Sequence, residues 1–370
     1  MKIYLVGGAV RDKLLGLPIK EKDWVVVGAS VKDMLARGYQ QVGKEFPVFL
    51  HPKTREEYAL ARMERKTKPG YQGFEFDASA DVTLEEDLLR RDLTINAMAE
   101  SEEGVLIDPY HGKRDLDARV LRHVSDAFLE DPVRILRLGR FLARYAYLGF
   151  KVAPETNRLM QDMVQNGEVN ALVAERVWKE LERALTEKNP EQFFEVLDQC
   201  GALPILFPDL SMSDAGMQAL VAAAKITPDA AIRFAALLHA LPNAKQAISD
   251  VCQRYRAPQA FKELAGLTAL HHTTALKVKE LTAEELSQLL SALDIYRRDV
   301  RFRDFLTACN AIAISKDIQF NSEWLIECAN IARSVDVQAL IAEGYTDKKL
   351  ADKLIEERKN KIAQWRLTYQ

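Results

Sequence analysis

The sequence has few cysteines and no long apolar run. Its 370 residues include only four cysteines, which are scattered rather than paired at zinc-knuckle or disulfide-framework spacing. No apolar stretch approaches the roughly 20 residues that a membrane span requires. The first apolar run, residues 3–6, reaches a glycine pair at once, so we expect no signal peptide. These absences favour a reduced, cytoplasmic protein whose cysteines lie in the core.

An excess of positive charge is also missing. The 51 lysines and arginines face 54 acidic residues, which gives a net charge of -3 and a pI near 6.2. No global basic field attracts nucleic acid, so any RNA contact must come from local basic patches. A hydrophobic content of 48% argues against a disordered or fibrous chain. The length favours two or three packed units.

The distribution of strand-like and helix-like segments changes partway along the chain. Short β-type runs occupy residues 3–6, 24–27, 48–51, 57–61 and 104–107. From Asp126 onward, helical patterns follow one another, as at residues 134–146, 174–185, 192–200 and 230–240. We therefore predict an α/β N-terminal domain followed by an all-α part, with no flexible linker between them. Residues 65–81 have the composition of a mobile surface loop, either simply disordered or a functional lid.

Two N-terminal segments have residues suited to phosphate and metal chemistry. Gly7 and Gly8 stand where a strand gives way to a helix, an arrangement that lets backbone N–H groups approach a phosphate, and Arg11 could clamp that phosphate. An ordinary tight turn is the alternative. Glu21 and Asp23 alternate at the start of a strand, so both carboxylates project to one side and could hold divalent metal ions. Two solvated charges are the alternative, and Glu57 is a further candidate ligand.

Arginines cluster in two later segments. Residues 90–97 combine Arg90 and Arg91 with an aspartate and an asparagine close to a predicted helix start, where Arg91 could reach a triphosphate. Further along, Arg134, Arg137, Arg140 and Arg144 recur at three- and four-residue spacing and form one basic stripe on a helix. Intervening acids are missing from that helix, which argues against a merely solvated face.

Asp131 and Arg134 are one turn apart and suggest a protein template for a nucleobase. Cytosine and adenine each offer a ring-nitrogen acceptor beside an amino donor, which suits an arginine that donates and a carboxylate that accepts. Guanine and uracil present a ring N–H and a carbonyl instead. The pair is therefore expected to accept C and A and to reject G and U.

Taken together, these motifs resemble the bacterial (class II) tRNA nucleotidyltransferases, the CCA-adding enzymes related to bacterial poly(A) polymerases. The matching stretches are residues 5–12, 23–28, 43–50, 86–97, 107–112 and 130–145. The resemblance implies a polymerase-β-like head at residues 1–125, a helical neck at 126–205, and a helical body and tail at 206–370. Its implied partners are the 3′ end and acceptor region of tRNA, with CTP and ATP as substrates and Mg²⁺ as cofactor.

The resemblance also assigns roles to individual residues. Gly8 and Arg11 would bind the triphosphate, and Glu21 and Asp23 would be catalytic metal ligands. The remaining nucleotide-binding residues would be Arg91, Asp131, Arg134, Arg137 and Arg140. The loop at residues 65–81 would correspond to the family's flexible loop, which is implicated in switching from C to A addition. Enzymes that add only CC or only A, a poly(A) polymerase and a noncatalytic tRNA-binding protein are the alternatives.

Some positions depart from the family pattern. The usual Asp-x-Asp is Glu21-x-Asp23 here, so metal affinity or preference is open to change. His239 is followed by Ala240, where some members carry the His-Asp pair of a metal phosphohydrolase. We expect His239, His271 and His272 to be structural, with no phosphatase activity. The basic helix-like segment at residues 347–366 either holds the tRNA backbone or is a solvated amphipathic helix.

Overall fold

The computed structural model describes residues 1–42, 48–66, 74–77 and 81–368. In the strands at 63–66 and 74–77, only the backbone is described. The chain divides into two compact units. The first consists of Met1–Ala184 and Gln192–Pro208, and the second of Leu185–Glu191 and Asp209–Gln370. The three-part division that the sequence suggested stays a prediction.

The first unit begins with the expected α/β domain. Its strands are β1 (Lys2–Val6), β2 (Asp23–Val27), β3 (Gln40–Val42), β4 (Val48–Leu50), β5 (Glu57–Leu60), β6 (Met63–Lys66), β7 (Phe74–Asp77), β8 (Ala99–Ser101), β9 (Leu106–Ile107) and β10 (Val120–Leu121). Its helices are α1 (Gly8–Leu14), α2 (Val31–Ala36), α3 (Leu84–Leu89) and α4 (Gly112–Asp117). Seven strands form one sheet in the order β3-β4-β5-β2-β1-β8-β9, in which only the β2–β5 pair is parallel.

This sheet is apolar on both faces. Successive side chains of a strand point to opposite faces, so the neighbours Val25 and Val26 enter different cores. Val25 packs with Leu84 and Leu88, at the two ends of the apolar face of α3. Val26 packs with Met34 of α2 and with residues of β4 and β5. The result is an α/β sandwich with its sheet in the middle, which confirms the predicted fold class of the N-terminal part.

The segment predicted as a loop at residues 65–81 is partly regular. β6 and β7 pair antiparallel, with Met63 opposite Asp77 and Lys66 opposite Phe74. The loop prediction was therefore wrong for residues 65–66 and 74–77, because a backbone ladder forms between segments that carry few aliphatic side chains. Residues 67–73 and 78–80, together with residues 43–47 of the predicted motif at 43–50, lie outside the described residues.

Helices make up nearly all of the remainder of the first unit. They are α5 (Val133–Tyr145), α6 (Pro154–Gln165), α7 (Ala174–Leu185), α8 (Glu191–Gln199) and α9 (Leu203–Leu206). One exception is β11 (Lys151–Val152), a short strand that pairs parallel with β10. Gly139 in α5 allows close packing, since a Cβ there would lie 3.1 Å from the ring of Phe193. The predicted helices at 134–146, 174–185 and 192–200 are confirmed within one residue at each end.

The second unit is helical throughout its described residues. Its helices are α10 (Ala215–Ile226), α11 (Ala230–Leu238), α12 (Ala244–Tyr255), α13 (Gln259–Leu276), α14 (Ala283–Ala292), α15 (Asp299–Ser315), α16 (Ser322–Arg333), α17 (Val337–Ala342) and α18 (Asp347–Leu367). At Gly216 a Cβ would lie only 1.9 Å from the carbonyl oxygen of Leu237, so α10 and α11 are in backbone contact there. None of the described helices is both long and apolar enough to cross a membrane.

The four cysteines are buried, and basic side chains of the final helix contact other parts of the second unit. Every cysteine is a free thiol in the interior, as the sequence indicated. In α18, Lys361 donates to the backbone of Ser334, and Arg358 stacks on the ring of Tyr296. Part of the helix's positive charge is therefore used within the second unit.

Candidate nucleotide site

The β1–α1 turn brings two guanidinium groups against two glycines. Gly7 has φ +66°, and a Cβ there would lie 2.7 Å from Nη1 of Arg91. A Cβ at Gly8 would lie 3.4 Å from Nη2 of Arg11. The predicted strand-to-helix turn is confirmed, since β1 ends at Val6 and α1 begins at Gly8. Glycine is favoured at position 7 because its φ is positive and because a Cβ would crowd the Arg91 guanidinium, whereas a Cβ at position 8 would make only an ordinary contact.

Arg11 lies inside the protein and does not project into solvent. Its Nε donates to Oδ1 of Asp12 at 2.9 Å, and its Nη1 donates to Oδ1 of Asn96. The guanidinium carbon lies 5.3 Å from the ring centroid of Phe141 and 5.0 Å from that of Tyr145. Arg11 is only 3% exposed, so its orientation is fixed before any ligand arrives.

Acidic side chains gather at the start of β2. Asp23 is the first residue of the strand, and Glu21 lies just before it. Asp23 pairs in register with Glu57 on the parallel strand β5, which places those two side chains on one face of the sheet. Glu56 instead accepts a hydrogen bond from Nε1 of Trp24 at 3.1 Å. Glu57, not Glu56, is therefore the acidic neighbour of Asp23.

The surroundings of Asp23 disfavour its charged form. Although solvent reaches the side chain, partial desolvation raises the pKa of Asp23, with Arg91 opposing and Glu21 adding to the rise. The Glu21 effect means that the two carboxylates sense each other, as the sequence argument required. Within the described ranges, no three His, Cys, Asp or Glu side chains converge closely enough to hold a metal ion by themselves. Two carboxylates remain enough for a divalent metal ion that also takes substrate phosphates and water as ligands.

Arg90 and Arg91 follow a helix rather than precede one. They come directly after α3, and only a single 3₁₀ turn, Thr94–Asn96, follows. The expectation of a helix start at this point was therefore wrong. Nδ2 of Asn96 donates to Oδ1 of Asp92, and Leu93 forms an isolated β-bridge with His123 in place of a helical turn. Arg91 is held by the Asp87 carboxylate at 3.2 Å and by the Asn96 carbonyl.

The arginine stripe on α5 is balanced by acids from other elements. Arg137 donates to Asp92 at 2.8 Å, Arg140 donates to Glu180 of α7, and Arg144 donates to Asp12 of α1 at 2.9 Å. No acid within α5 balances the stripe, as the sequence indicated, and its acidic partners come from other elements, so the stripe is not a merely solvated face. Ion pairing fixes these arginines toward the core side of the helix.

Asp92 is buried and accepts several hydrogen bonds. It is 8% exposed and accepts hydrogen bonds from Arg137, from Nδ2 of Asn96 at 2.9 Å and from the N–H of Leu93 at 2.9 Å. Burial alone would raise the pKa of Asp92, but the Arg137 charge and these hydrogen bonds outweigh burial and hold that pKa well below its usual range. Asp92 thus stays ionised and keeps Arg137 in place.

Asp131 and Arg134 have different partners in this structure. Asp131 accepts two hydrogen bonds from Arg176 of α7, at 3.0 and 2.7 Å. Arg134 donates to the backbone carbonyl of Arg90 at 2.8 Å and to that of Arg91 at 3.4 Å. Both side chains are partly exposed and contact the elements around Arg91 and α7. Their joint role toward a base stays a prediction.

Arg176 and Glu180 were missed by sequence reasoning. They are four residues apart on α7, so they share one face of that helix, and each binds a residue of the arginine-rich segment. The signal was an oppositely charged pair at helical spacing. It pointed to an ordinary surface pair, because nothing in the sequence shows which element packs on that face.

Two of the three histidines of the second unit, His239 and His272, lie in its core, and His271 is only partly buried. His239 is 2% exposed and His272 is 7% exposed, and their rings meet edge to face with centroids 4.9 Å apart. Burial lowers the pKa of His239 to about 4 and also lowers that of His272. Each Nδ1 is hydrogen-bonded to a carbonyl of the preceding turn, that of Ala236 or Thr268. These contacts account for both side chains as core residues.

Comparison with known proteins decides the family. A model described as the poly A polymerase head domain matches residues 3–122, and a model of the probable RNA and SrmB-binding site of polymerase A matches residues 149–213. The multifunctional CCA protein of Pseudomonas putida is 54% identical over 360 residues, which cover 97% of each chain. This chain belongs to the CCA-adding enzyme family. It is therefore a nucleotidyltransferase.

Other members of the CCA-adding enzyme family agree with this assignment. The multifunctional CCA protein of Thioalkalivibrio sulfidiphilus is 49% identical and covers 96% of both chains. A solved CCA-adding enzyme in an apo form shares the fold with a TM-score of 0.72 at 22% identity, covering 100% of this chain and 92% of that one. The Thermotoga maritima CCA-adding enzyme complexed with tRNA_CCA gives a TM-score of 0.70 at 22% identity, with 100% and 91% covered.

Proposed function

We propose that this chain adds C, C and A to the 3′ end of tRNA from CTP and ATP without a nucleic-acid template, and that it does so in the cytoplasm. One juxtaposition carries the proposal. Asp23 lies directly opposite Val6, at the point where β1 enters the Gly7 turn, and Arg91 packs against that glycine within the electrostatic reach of Asp23. Carboxylates suited to a divalent metal thus stand beside arginines suited to a triphosphate.

The reaction is attack of the RNA 3′-oxygen on the α-phosphorus of the bound nucleotide. The new P–O bond forms as the bond to pyrophosphate breaks, and the proton of the 3′-hydroxyl passes to solvent. The positive charges of Arg11, Arg91 and Arg137 neutralise the triphosphate. Arg140 lies on α5, as Arg137 does, and adds a further positive charge. Their ion pairs and packing hold them in place, so little ordering is needed when nucleotide binds.

Glu21 and Asp23 fit a divalent metal. Both offer carboxylate oxygens. Partial burial raises the pKa of Asp23 and the charge of Glu21 adds to that rise, and a bound cation would favour the charged form of Asp23 against both effects. We propose Mg²⁺ as that ion, held by Glu21 and Asp23, with Glu57 as a neighbouring acid. When bound, it supplies charge stabilisation to the transferring phosphoryl group and lowers the pKa of the attacking hydroxyl.

Asp131 and Arg134 are proposed to read the base. Arg134 donates to the ring nitrogen of cytosine or adenine, and Asp131 accepts from the amino group. Arg176 already occupies both oxygens of Asp131 and therefore orients the carboxylate, whose further lone pairs remain as acceptor sites. The same two contacts serve C and A, which is what a single site for two nucleotides requires.

The remaining assignments concern tRNA. We propose that residues 1–125 form the catalytic head, residues 126–205 a neck that recognises the base, and residues 206–370 a body and tail that bind tRNA. The Pseudomonas relatives named for CCA addition cover nearly the whole chain, which supports one shared substrate. The acceptor end of tRNA is the expected partner, with α18 as a candidate contact for its backbone. His239, His271 and His272 are expected to be structural and to give no phosphatase activity.

Nucleotide extension of defined tRNAs tests the proposal. Substrates ending before CCA, after C and after CC are incubated with Mg²⁺ and with each nucleoside triphosphate singly and together. Ordered addition of C, C and A that then stops is the expected result. Addition of A alone to the CC-ended substrate would indicate an A-adding enzyme, a stop after CC a CC-adding enzyme, and long A tails a poly(A) polymerase.

Asp23→Asn is the decisive variant and Asp117→Asn its matched control. Asp117 belongs to the same unit but is exposed and pairs only with Lys113 of its own helix among the described contacts. Asp23→Asn should abolish incorporation, because it removes a carboxylate from the proposed metal site, while Asp117→Asn should leave it unchanged. Incorporation by the Asp23→Asn protein at the rate of the control would refute the metal assignment. A wild-type chain that binds tRNA without extending it would be a binding protein.

A further inference from the structure

Asp12 is a buried carboxylate that no step of the proposed reaction uses. It is 5% exposed and has three side-chain donors. Oδ1 accepts from Nε of Arg11 at 2.9 Å and from the Tyr145 hydroxyl at 2.8 Å, and Oδ2 accepts from Nη2 of Arg144 at 2.9 Å. Arg11 lies on α1, as Asp12 does, whereas Tyr145 and Arg144 lie at the end of α5. One carboxylate therefore joins the two helices.

Arg11 is linked to α5 by a second route as well. Its Nη1 donates to Oδ1 of Asn96, and Nδ2 of Asn96 donates to Oδ1 of Asp92. Oδ2 of Asp92 in turn accepts from Arg137, which is two helical turns before Arg144. The Arg11 guanidinium is thus held from both sides by groups that end on the same helix.

We propose that Asp12 is a positioning residue for nucleotide binding. It fixes the Arg11 guanidinium at the triphosphate and sets its distance from α5, which carries Arg134 and Arg137. The inference rests on the proposed function, in which Arg11 contacts the triphosphate. Asp12 touches neither nucleotide nor metal and acts only through Arg11.

An asparagine at this position cannot satisfy the same donors. If its Nδ2 takes the place of Oδ2, it faces the N–H of Arg144; if it takes the place of Oδ1, it faces Arg11 and Tyr145. Either orientation sets a donor against a donor, and the neutral oxygen that remains makes weaker bonds than a carboxylate. The Arg11 side chain then gains rotamer freedom, which must be lost again when nucleotide binds.

The expected effect is confined to the triphosphate. A hydrogen bond to a charged group is stronger than a neutral one by an amount that corresponds to about tenfold or more in binding. Asp12→Asn should therefore raise the KM for CTP and for ATP by about tenfold. The factor should be the same for both nucleotides, because Arg11 does not contact the base. Inhibition by inorganic tripolyphosphate should weaken in parallel, while the KM for tRNA stays constant.

Steady-state extension by the full chain tests this inference, with Asp12→Asn, Arg144→Gln and wild type compared at equal folded concentration. Arg144→Gln keeps Arg11 and Asp12 but releases Asp12 from one of its α5 donors, so a few-fold rise in both nucleotide KM values is expected. A merely structural role would lower the thermal midpoint or the active fraction and leave KM unchanged.

The outcomes separate this inference from the proposed function. If wild type incorporates nucleotide but folded Asp12→Asn has KM values within twofold of wild type, the role of Asp12 is overturned. If Asp12→Asn does not fold, Arg144→Gln decides, and an unchanged KM for both nucleotides overturns it equally. If wild type fails to incorporate any nucleotide, the proposed function fails instead.

Discussion

Asp92→Asn should destabilise the first unit markedly at neutral pH and progressively less in acid. The substitution keeps the shape of the side chain but removes the charge that holds Arg137. In the wild type, Arg137 donates to Asp92 through Nε at 2.8 Å and reaches it through Nη2 at 2.7 Å, and the carboxylate is buried. The asparagine side chain has the same shape, but its amide nitrogen would place an N–H group against one of the donors that Asp92 accepts from.

The expected loss of stability follows from the burial of Asp92 and the partial exposure of Arg137. Removing one partner of a buried ion pair costs about 3–5 kcal/mol. The Arg137 side chain is 37% exposed, so water can solvate the unpaired guanidinium, and we expect the lower end, about 3 kcal/mol. For a unit of about 200 residues, this corresponds to a fall of roughly 6–12 °C in the thermal midpoint.

The pH dependence has a definite sign. Because the folded-state pKa of Asp92 lies below its unfolded value of about 4, the stabilisation is fully present above that value. It is lost as pH falls through the folded-state pKa, so the gap between wild type and Asp92→Asn should narrow in acid.

Urea unfolding at pH 7 and at about pH 3, read by circular dichroism, measures both the loss of stability and its pH dependence, because the stabilisation falls only below the unfolded-state pKa of about 4. Arg137→Gln and the double variant Asp92→Asn/Arg137→Gln complete a cycle in which the double variant should cost less than the sum of the two single ones. A pH 7 difference below about 1 kcal/mol for Asp92→Asn, or strict additivity in the cycle, would refute the account of Asp92 as a buried ion-pair partner.

Three further predictions concern other parts of the molecule. Gly7→Ala should raise the KM for nucleotide, because its Cβ would lie 2.7 Å from Arg91. Gly16→Ala is the control: Gly16 has a similar φ of +68° but open space around it, so the substitution should cost about 1 kcal/mol of stability and leave KM unchanged. Equal KM values for the two variants would contradict the Gly7–Arg91 contact. Asp131→Ala and Arg134→Ala should each lose the preference for CTP and ATP over GTP and UTP in single-nucleotide incorporation, and retained preference in both would exclude them as base readers. Because the folded-state pKa of His239 is about 4, the wild type should lose about 2 kcal/mol of its free energy of unfolding between pH 7 and pH 5, and His239→Phe should not show this loss. The same pH dependence of the free energy of unfolding in both proteins would count against a buried neutral histidine.

Local features were predictable because their causes are local. The period of apolar residues gave α7 as Ala174–Leu185, and the glycine pair after a short apolar run gave the turn between β1 and α1. The alternation of Glu21 and Asp23 into β2 was also sufficient to predict two carboxylates that influence each other. Residues 65–66 and 74–77 were misread because cross-strand pairing, not side-chain pattern, made them strands.

By itself, the sequence determined the fold class and the residue types on which the proposed chemistry depends. Only the tertiary structure decided the partners of those residues. Asp12, Asp92 and Glu180 balance arginines on α5 that are 40 or more residues away in sequence, and the parallel pairing of β2 with β5 sets Glu57 beside Asp23. Helical and strand periods follow from neighbouring residues, whereas charge pairing depends on which elements pack together. That packing is a property of the whole unit, so a single helix could not reveal it.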